Sequence, residues 1–156
     1  IAVTVNGGAP QFFGRAAVDV LIIDTDSGQD AITITGTDED EVAHFIPGQA
    51  SLRVGTSFAG ANYGILALDV ETAEVTAGTG GTDLAVMRDT RTISDALVAS
   101  ANTATLTAGA GRLVRSIDFD QVRALTTIVT GGAEDDTADR NAINYVLELA
   151  GSWREI

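Results

Sequence analysis

Short apolar runs, separated by corners rich in glycine and aspartate, make up most of this chain. Residues 31–35 (AITIT) alternate cleanly, which places Ile32 and Ile34 on one face and threonines on the other. Residues 18–23 (VDVLII) are mostly apolar and β-branched, which predicts a strand buried on both faces. Further β-prone runs lie at residues 3–5, 42–46, 50–54, 65–70, 74–76 and 84–88. The pattern therefore predicts many short strands.

The stretch at residues 73–89 shows how the runs are joined. A β-prone run ends, three glycines within residues 78–81 form a corner, and Asp83 precedes the next run. The same order returns around residues 122–135. Glycine and aspartate mark such corners because both tolerate the backbone conformations that tight turns require.

Alignments of the sequence with itself indicate an internal repeat. The aligned segments are 31–35 with 84–88, 50–52 with 104–106 and 74–77 with 121–124, and the shift differs from one pair to the next. The changing shift indicates insertions, which repeat proteins tolerate in their loops. We therefore predict a single repeat-built domain over residues 1–156, with a lead-in at 1–27, repeats of about 50 residues at 28–80 and 81–132, and a helical cap at 133–156.

The C-terminal segment differs from the rest. Asp136 and Asp139 are candidate N-cap residues, residues 139–150 carry an apolar stripe at helical spacing, and Gly151 is a stop signal. This predicts one helix that covers the last open β edge, with Trp153 packed against the core. At the other end, the short strand at residues 1–5 is a candidate for pairing with the edge of another subunit.

The predicted architecture is thus all-β, built from stacked short-strand repeats with a C-terminal capping helix. A β-solenoid-like body is favoured because corners recur at intervals, and a β-sandwich is the alternative. The chain begins at Ile1, which is typical of a processed product or a piece of a longer protein.

Composition narrows the classes of partner. The 156 residues are 45% hydrophobic but only 5% aromatic, which suits thin β layers packed through small side chains. The net charge is −13, and all nine basic residues are arginines. Such acidity disfavours nucleic acid and anionic membrane surfaces, and no apolar run approaches the length of about 20 residues that a membrane span needs. There is no cysteine from which to read the redox compartment.

Calcium is the best-supported chemistry. Asp24, Asp26 and Asp30 surround Gly28 with the alternating carboxylate spacing of a calcium loop, and Ca²⁺ prefers oxygen ligands on a flexible turn. Thr35 occupies the twelfth position, so the loop is not an EF-hand. Plain turn chemistry is the alternative. A second acidic group comprises Glu134, Asp135, Asp136 and Asp139. For that group, capping of the predicted helix is favoured over metal binding.

Catalytic patterns are weak. Residues 78–81 lack the lysine and helix start of a phosphate-binding loop, and His44 lies in a strand-like run as the only histidine. Acidic residues are plentiful, but few aromatic residues are present to form a sugar cleft. Three arginines in the second repeat are expected to balance acidic neighbours, with an interface to another copy as the alternative: Arg112, Arg115 and Arg123.

The chain resembles the long repeats of planctomycete-type secreted and cell-surface proteins. The segments that carry the resemblance are residues 80–90 (GGTDLAVMRDT), 104–106 (ATL), 119–124 (FDQVRA) and 142–147 (AINYVL). Such proteins are loosely grouped with haemolysin-type calcium-binding repeats. The resemblance implies an extracellular or cell-surface location, a structural or adhesive role, and no known activity.

We therefore expect a non-catalytic extracellular structural protein, a subunit or fragment of a surface, matrix or fibre assembly that contacts copies of itself or a neighbouring repeat protein. A calcium-dependent carbohydrate-binding or adhesion module is the alternative, and a polysaccharide hydrolase or lyase ranks third.

Overall fold

The computed structural model describes residues 1–13, 20–54, 64–90, 94–126 and 136–156. Within these ranges the chain is all-β, as predicted, and contains no α-helix. A short 3-10 turn lies at Gly109–Gly111. In chain order, strands β1 to β16 cover Ala2–Val5, Gln11–Phe12, Val20–Asp24, Ala31–Thr35, Glu41–Ile46, Gln49–Val54, Gly64–Leu68, Thr72–Thr76, Leu84–Arg88, Ala96–Ala101, Thr103–Thr107, Leu113–Ile117, Gln121–Leu125, Thr137–Ile143, Val146–Ala150 and Arg154–Glu155. In this described part of the chain, no helical segment has the length and apolarity needed to span a bilayer.

The strands form two mixed sheets. The nine-stranded sheet has the order β16-β14-β10-β11-β12-β8-β4-β1-β2, and the seven-stranded sheet has the order β15-β13-β9-β5-β6-β7-β3. At four corners that lie wholly within the described residues, the chain leaves a strand of the first sheet and enters a strand of the second: β4 to β5, β8 to β9, β12 to β13 and β14 to β15. Within each sheet, the strands of the first three such passages lie parallel and side by side.

The parallel register shows a regular spacing. Ala31 lies opposite Thr72 in the nine-stranded sheet, and Thr72 lies opposite Leu113, so the chain returns to the same place after equal lengths of sequence. Ala96 and Thr137, which start β10 and β14, are separated by the same length again. In the seven-stranded sheet, successive parallel strands are separated by variable distances along the chain: Val42 lies opposite Leu84, Leu84 opposite Gln121, and Gln121 opposite Val146.

One hydrophobic cluster contains the inward-facing residues of both sheets. Ile32 and Ile34 of β4 are 1% and 0% exposed, which confirms the alternation predicted for that strand. Phe45 of β5 lies in the same cluster and meets Phe119 edge-to-face, with ring centroids 6.5 Å apart. Most of the remaining members are alanine, valine and leucine, so the sheets pack through small side chains.

The strand predicted to be buried on both faces is an edge strand. The described part, β3, ends the seven-stranded sheet, and its outward residues Val20 and Ile22 are 64% and 61% exposed. Leu21 and Ile23 pack against the core. A continuous apolar run does not distinguish a central strand from an edge strand, because both need one apolar face.

The alignment of residues 31–35 with residues 84–88 matches strands that do not pair. Ala31–Thr35 belongs to the nine-stranded sheet and Leu84–Arg88 to the seven-stranded sheet. The partner of Ala31–Thr35 in the parallel stack is Thr72–Thr76. Both strands begin after an aspartate, which is the similarity that the alignment detects, and the division into repeats at 28–80 and 81–132 stays a prediction.

The predicted C-terminal helix at residues 139–150 is wrong, and with it the helical cap at 133–156. Thr137–Ile143 and Val146–Ala150 are strands that pair in parallel with β10 and β13. The apolar positions in this segment also follow a period of two, and the half-buried residues of the second strand, Leu147 and Leu149, face the core. Unpaired edges of two sheets are available to this segment, so tertiary pairing overrides its helical pattern. Trp153 does pack against the core, and its Nε1 donates to the Ala124 carbonyl at 3.2 Å.

The N-terminal strand is part of the body of the protein. Ala2–Val5 pairs on one side with Ala31–Thr35 and on the other with Gln11–Phe12, and Val3 is buried. One edge of this strand is paired along its whole length within the chain, and the other is paired at Ala2 and Val3. The strand is therefore not isolated from the body of the protein, and its pairing with another subunit stays a prediction.

Candidate functional site

Acidic side chains connect neighbouring corners where the chain enters the seven-stranded sheet. The amide of Glu41, at the start of β5, donates to Asp83 Oδ1 at 2.9 Å, and the amide of Asp83 donates to Asp120 Oδ2 at 2.9 Å. Beside them, the amide of Thr82 donates to Asp40 Oδ1 at 2.8 Å. Each acidic side chain thus satisfies a main-chain N–H of an adjacent corner, which is a structural role.

Burial changes the acidity of two of these groups. Removal from water raises the pKa of Asp83 to about 6; the hydrogen bond from the Glu41 amide opposes this shift, and the nearby charges of Glu41 and Asp120 add to it. Burial also raises the pKa of Glu41. The amides of Thr37 and Gly78 donate to its carboxylate and oppose this rise. Burial therefore destabilises the ionised forms of Asp83 and Glu41, and the main-chain hydrogen bonds that they accept offset this effect only partly.

A second acidic group lies where three strands end or begin. Asp89 follows β9, Asp95 precedes β10 and Asp136 precedes β14; we name these three residues the acidic triad. One carboxylate oxygen from each lies within 4.8 Å of the others, and the three residues are only 4%, 1% and 3% exposed. The acidic triad could hold a metal ion, since carboxylate oxygens are the ligands of hard cations.

Asp95 is the most constrained member of the acidic triad. Its Oδ2 accepts hydrogen bonds from the Thr90 amide and, at 3.0 Å, from Thr90 Oγ1, while its own amide donates to Asp136 Oδ1 at 2.9 Å. Its Oδ1 is buried and has no hydrogen-bond partner among the residues that the structure describes. Burial raises the pKa of Asp95 and the charges of Asp136 and Asp89 add to the effect, while Thr90 opposes it.

The predicted calcium loop looks different. Asp24 and Asp26 are exposed, and Asp24 Oδ1 accepts the amide of Asp26 at 3.3 Å. Asp30 is half-buried; its Oδ1 accepts a hydrogen bond from Asn6 Nδ2 at 2.8 Å, and its Oδ2 has no partner among the described residues. Within the described ranges, the acidic triad brings three ligand atoms within 4.8 Å of one another. Asp24, Asp26 and Asp30 do not bring three ligand atoms this close together. Calcium at these three residues stays a prediction.

The other acidic group from the sequence is divided. Glu134 and Asp135 lie outside the described residues, and Asp139 is a half-buried residue of β14. Capping of a helix is excluded for Asp136 because a strand follows it. Asp136 belongs to the acidic triad instead.

Sequence reasoning did not single out Asp89 or Asp95. Asp95 and Asp136 each lie directly before a strand. They are separated along the chain by the same number of residues as the paired first residues of β4 and β8, and this regularity is the signal that the sequence offers. No comparable signal marks Asp89, which follows its strand.

The glycine corner serves close packing of the backbone. A Cβ on Gly78 would lie 1.1 Å from the Thr37 carbonyl oxygen, and one on Gly81 would lie 2.6 Å from the Asp40 amide nitrogen. Residues 36–40 and 77–83 are successive corners, so glycine lets them approach without a side chain between them. This requirement accounts for the glycines without a phosphate ligand.

The singled-out basic residues lie on strands or beside them. His44 is on the outward face of β5, as the strand-like run predicts, and desolvation lowers its pKa, with the charges of Arg53 and Arg88 adding to the shift. The three arginines of the second half pair with glutamates across adjacent segments: Arg112 with Glu71 at 4.0 Å, Arg115 with Glu74 at 3.3 Å and Arg123 with Glu148 at 2.8 Å. They balance acidic neighbours, as expected.

Comparison with known protein families, with curated proteins and with solved structures finds no match to this chain. The resemblance to planctomycete-type repeats therefore stays a prediction, and function has to be argued from the residues themselves.

Proposed function

We propose that this chain is a non-catalytic extracellular structural module, a β-solenoid-like body that forms part of a surface, matrix or fibre assembly. The observation that carries the proposal is the stack of parallel strands that return at equal intervals along the chain, from Ala31 to Thr72 to Leu113. Each passage pairs with the edge of the one before it, and the apolar faces of the two sheets meet in one cluster, as in repeat proteins that build a continuous core.

The use of the acidic side chains at the corners supports a scaffold. Asp83, Asp120 and Asp40 each accept a main-chain amide of a neighbouring corner. A catalytic carboxylate needs an oxygen directed at a substrate, whereas these oxygens are directed at the backbone. The chemistry of these side chains holds successive corners in register.

Strand β3 supplies a surface for contact with another copy. It is the terminal strand of the seven-stranded sheet, and among the described strands only β7 pairs with it. Its sequence, VLIID, has one charge, and the exposed Val20 and Ile22 lie on its outward face. Natural edge strands usually carry charges or proline that block pairing, so an apolar edge of this kind favours association between sheets.

The test is sedimentation velocity of the wild-type chain against Ile22→Lys, at concentrations from about 1 μM to about 1 mM. We expect the wild type to form larger species as its concentration rises and Ile22→Lys to stay monomeric, because a lysine on the edge blocks pairing. The matched control is Val98→Lys, which places the same charge on the half-exposed Val98 of β10, inside the other sheet. This control should associate like the wild type. A wild type that stays monomeric throughout, or equal loss of association in both variants, would contradict the assembly proposal.

Calcium is proposed as a stabilising ion of the module, and its removal should lower the melting temperature. A carbohydrate-binding module is the second candidate. It is favoured by an open hollow of about 530 Å³ beside the corners, whose lining residues include Thr35, Thr37, Thr79 and Asp118. Glycan-array binding that EDTA abolishes would support this candidate over the pure scaffold.

A further inference from the structure

We propose that the acidic triad is a structural binding site for one Ca²⁺ ion, which joins the end of β9 to the starts of β10 and β14. Asp89 ends a strand of the seven-stranded sheet, whereas Asp95 and Asp136 begin strands of the nine-stranded sheet. An ion shared by the three would therefore link the two sheets. This site deepens the calcium part of the proposed function and does not depend on assembly.

The topology brings the three carboxylates together. Asp95 and Asp136 occupy the same position before paired parallel strands, because Ala96 lies opposite Thr137, and the Thr137 amide donates to the Asp95 carbonyl at 3.0 Å. Asp89 is fixed from the other sheet, where its amide donates to the Leu125 carbonyl at 3.1 Å. The backbone of each ligand is thus held by sheet hydrogen bonds, which gives a rigid site.

The carboxylate of Asp95 is prepared for a ligand. Thr90 fixes one of its oxygens through two hydrogen bonds, and the other oxygen, Oδ1, is buried in a residue only 1% exposed and has no partner in the described part of the chain. A buried acceptor without a partner is costly, and so is a cluster of three buried carboxylates. A bound cation relieves both costs, and the Thr90 contacts correspond to the outer-shell bonds that orient metal ligands.

The ligand set favours Ca²⁺ over other ions. The three side chains offer only oxygen, which suits hard cations. An ion about 2.3–2.6 Å from each oxygen can bridge oxygens up to about 5 Å apart, and the three oxygens lie within 4.8 Å of one another. Mg²⁺ requires shorter bonds and retains several waters, which suits a site this buried less well. Main-chain carbonyls or water would complete the Ca²⁺ shell of about six to eight oxygens.

The experiment starts from EDTA-treated protein and uses Ca²⁺ alone as the probe, measured by isothermal titration calorimetry and thermal unfolding. Ionic strength is held constant with NaCl, because a net charge of −13 responds to any divalent ion through screening. We expect one ion to bind the triad in the wild type. At about 100 times the dissociation constant, the melting temperature should rise by roughly 5–10 °C. Mg²⁺ at the same concentration should give a smaller rise.

The decisive variant is Asp95→Asn, which keeps an acceptor for Thr90 but removes the charge. We expect its Ca²⁺ affinity at this site to fall about 100-fold or more, while without Ca²⁺ it melts no lower than the wild type, because one of three buried like charges is gone. Asp89→Asn is the second variant, with the same expectation. The matched control is Asp30→Asn, since Asp30 also precedes a strand and carries a buried oxygen without a partner.

The outcomes separate the site from the proposed function. If the melting temperature of the wild type does not change on addition of EDTA or Ca²⁺, both the site and the calcium part of the proposed function are overturned. If Asp30→Asn loses the response and Asp95→Asn keeps it, the ion binds the Asp24–Asp30 turn; the triad assignment then fails while calcium stabilisation survives. Loss of the response in Asp95→Asn and Asp89→Asn, with Asp30→Asn unchanged, supports the triad.

Discussion

Replacing Asp83 by asparagine tests the buried corner carboxylates directly. Asp83 is 3% exposed, its Oδ1 accepts the Glu41 amide, and its pKa is raised to about 6, mainly by burial. Because the folded carboxyl holds its proton more tightly than the unfolded one, its favourable contribution to stability is complete below a pH of about 4 and is lost as pH rises through about 6. Asparagine cannot ionise, but its Oδ1 can still accept the same amide.

The magnitude follows from the shift. A rise from the ordinary value of 3.8 to about 6 corresponds to about 3 kcal/mol between the two protonation states. Asp83 lies at a corner near solvent, where screening reduces the effect, so we expect Asp83→Asn to be more stable than the wild type by about 1–2 kcal/mol at pH 8. At pH 4 the two proteins should be nearly equal in stability.

The assay is urea unfolding followed by circular dichroism at several pH values between 4 and 8, with EDTA present so that cation binding does not vary with pH. Asp95, whose pKa is also raised, is present in both proteins and cancels in the difference, whereas the charge of Glu41 acts on Asp83 directly, so relief of their repulsion is part of the measured difference. Asp38→Asn, at an exposed position of the preceding corner, is the control and should change stability by less than about 0.5 kcal/mol. A difference between Asp83→Asn and wild type that does not grow as pH rises would refute the reasoning.

Two further predictions concern packing and hydrogen bonding. Gly78→Ala should destabilise the fold by about 3 kcal/mol in urea unfolding, because the added Cβ would lie 1.1 Å from the Thr37 carbonyl oxygen. The control is Thr79→Ala at the neighbouring position, and equal effects of the two substitutions would exclude a steric cause. Tyr145→Phe should cost about 1 kcal/mol in the same assay, because the Tyr145 hydroxyl donates to the Thr103 carbonyl at 2.8 Å; no loss would show that water replaces this bond.

Local pattern in the sequence predicts the strands but not their partners. The alternation in residues 31–35 identifies β4 and its buried face, because period-two burial is a property of a single strand. Which strand lies beside it depends on loop lengths and on corners such as that of Gly78, which meets Thr37 of the preceding corner. The C-terminal segment shows the same limit: its apolar residues suit a helix or a strand, and free sheet edges decide the outcome.

The candidate site was harder to predict than the fold. Spacing alone pointed to Asp24 and Asp26, because carboxylates close together in sequence resemble a metal loop, yet these side chains are exposed. The acidic triad is formed by residues at three strand ends in two sheets: Asp89, Asp95 and Asp136. Residues so far apart in sequence form no local motif that would predict their contact. Only the register of β10 with β14 places Asp95 beside Asp136.

The alanine-rich interior has a thermal consequence. Ala43, Ala50, Ala67, Ala73 and Ala85 are fully buried, and each removes less apolar surface from water than a larger aliphatic residue would. The heat capacity increment of unfolding scales with the apolar surface exposed, so it should fall below the average of about 12–15 cal/mol/K per residue. The curve of free energy against temperature should accordingly be shallow, with stability that changes little between cold and warm surroundings.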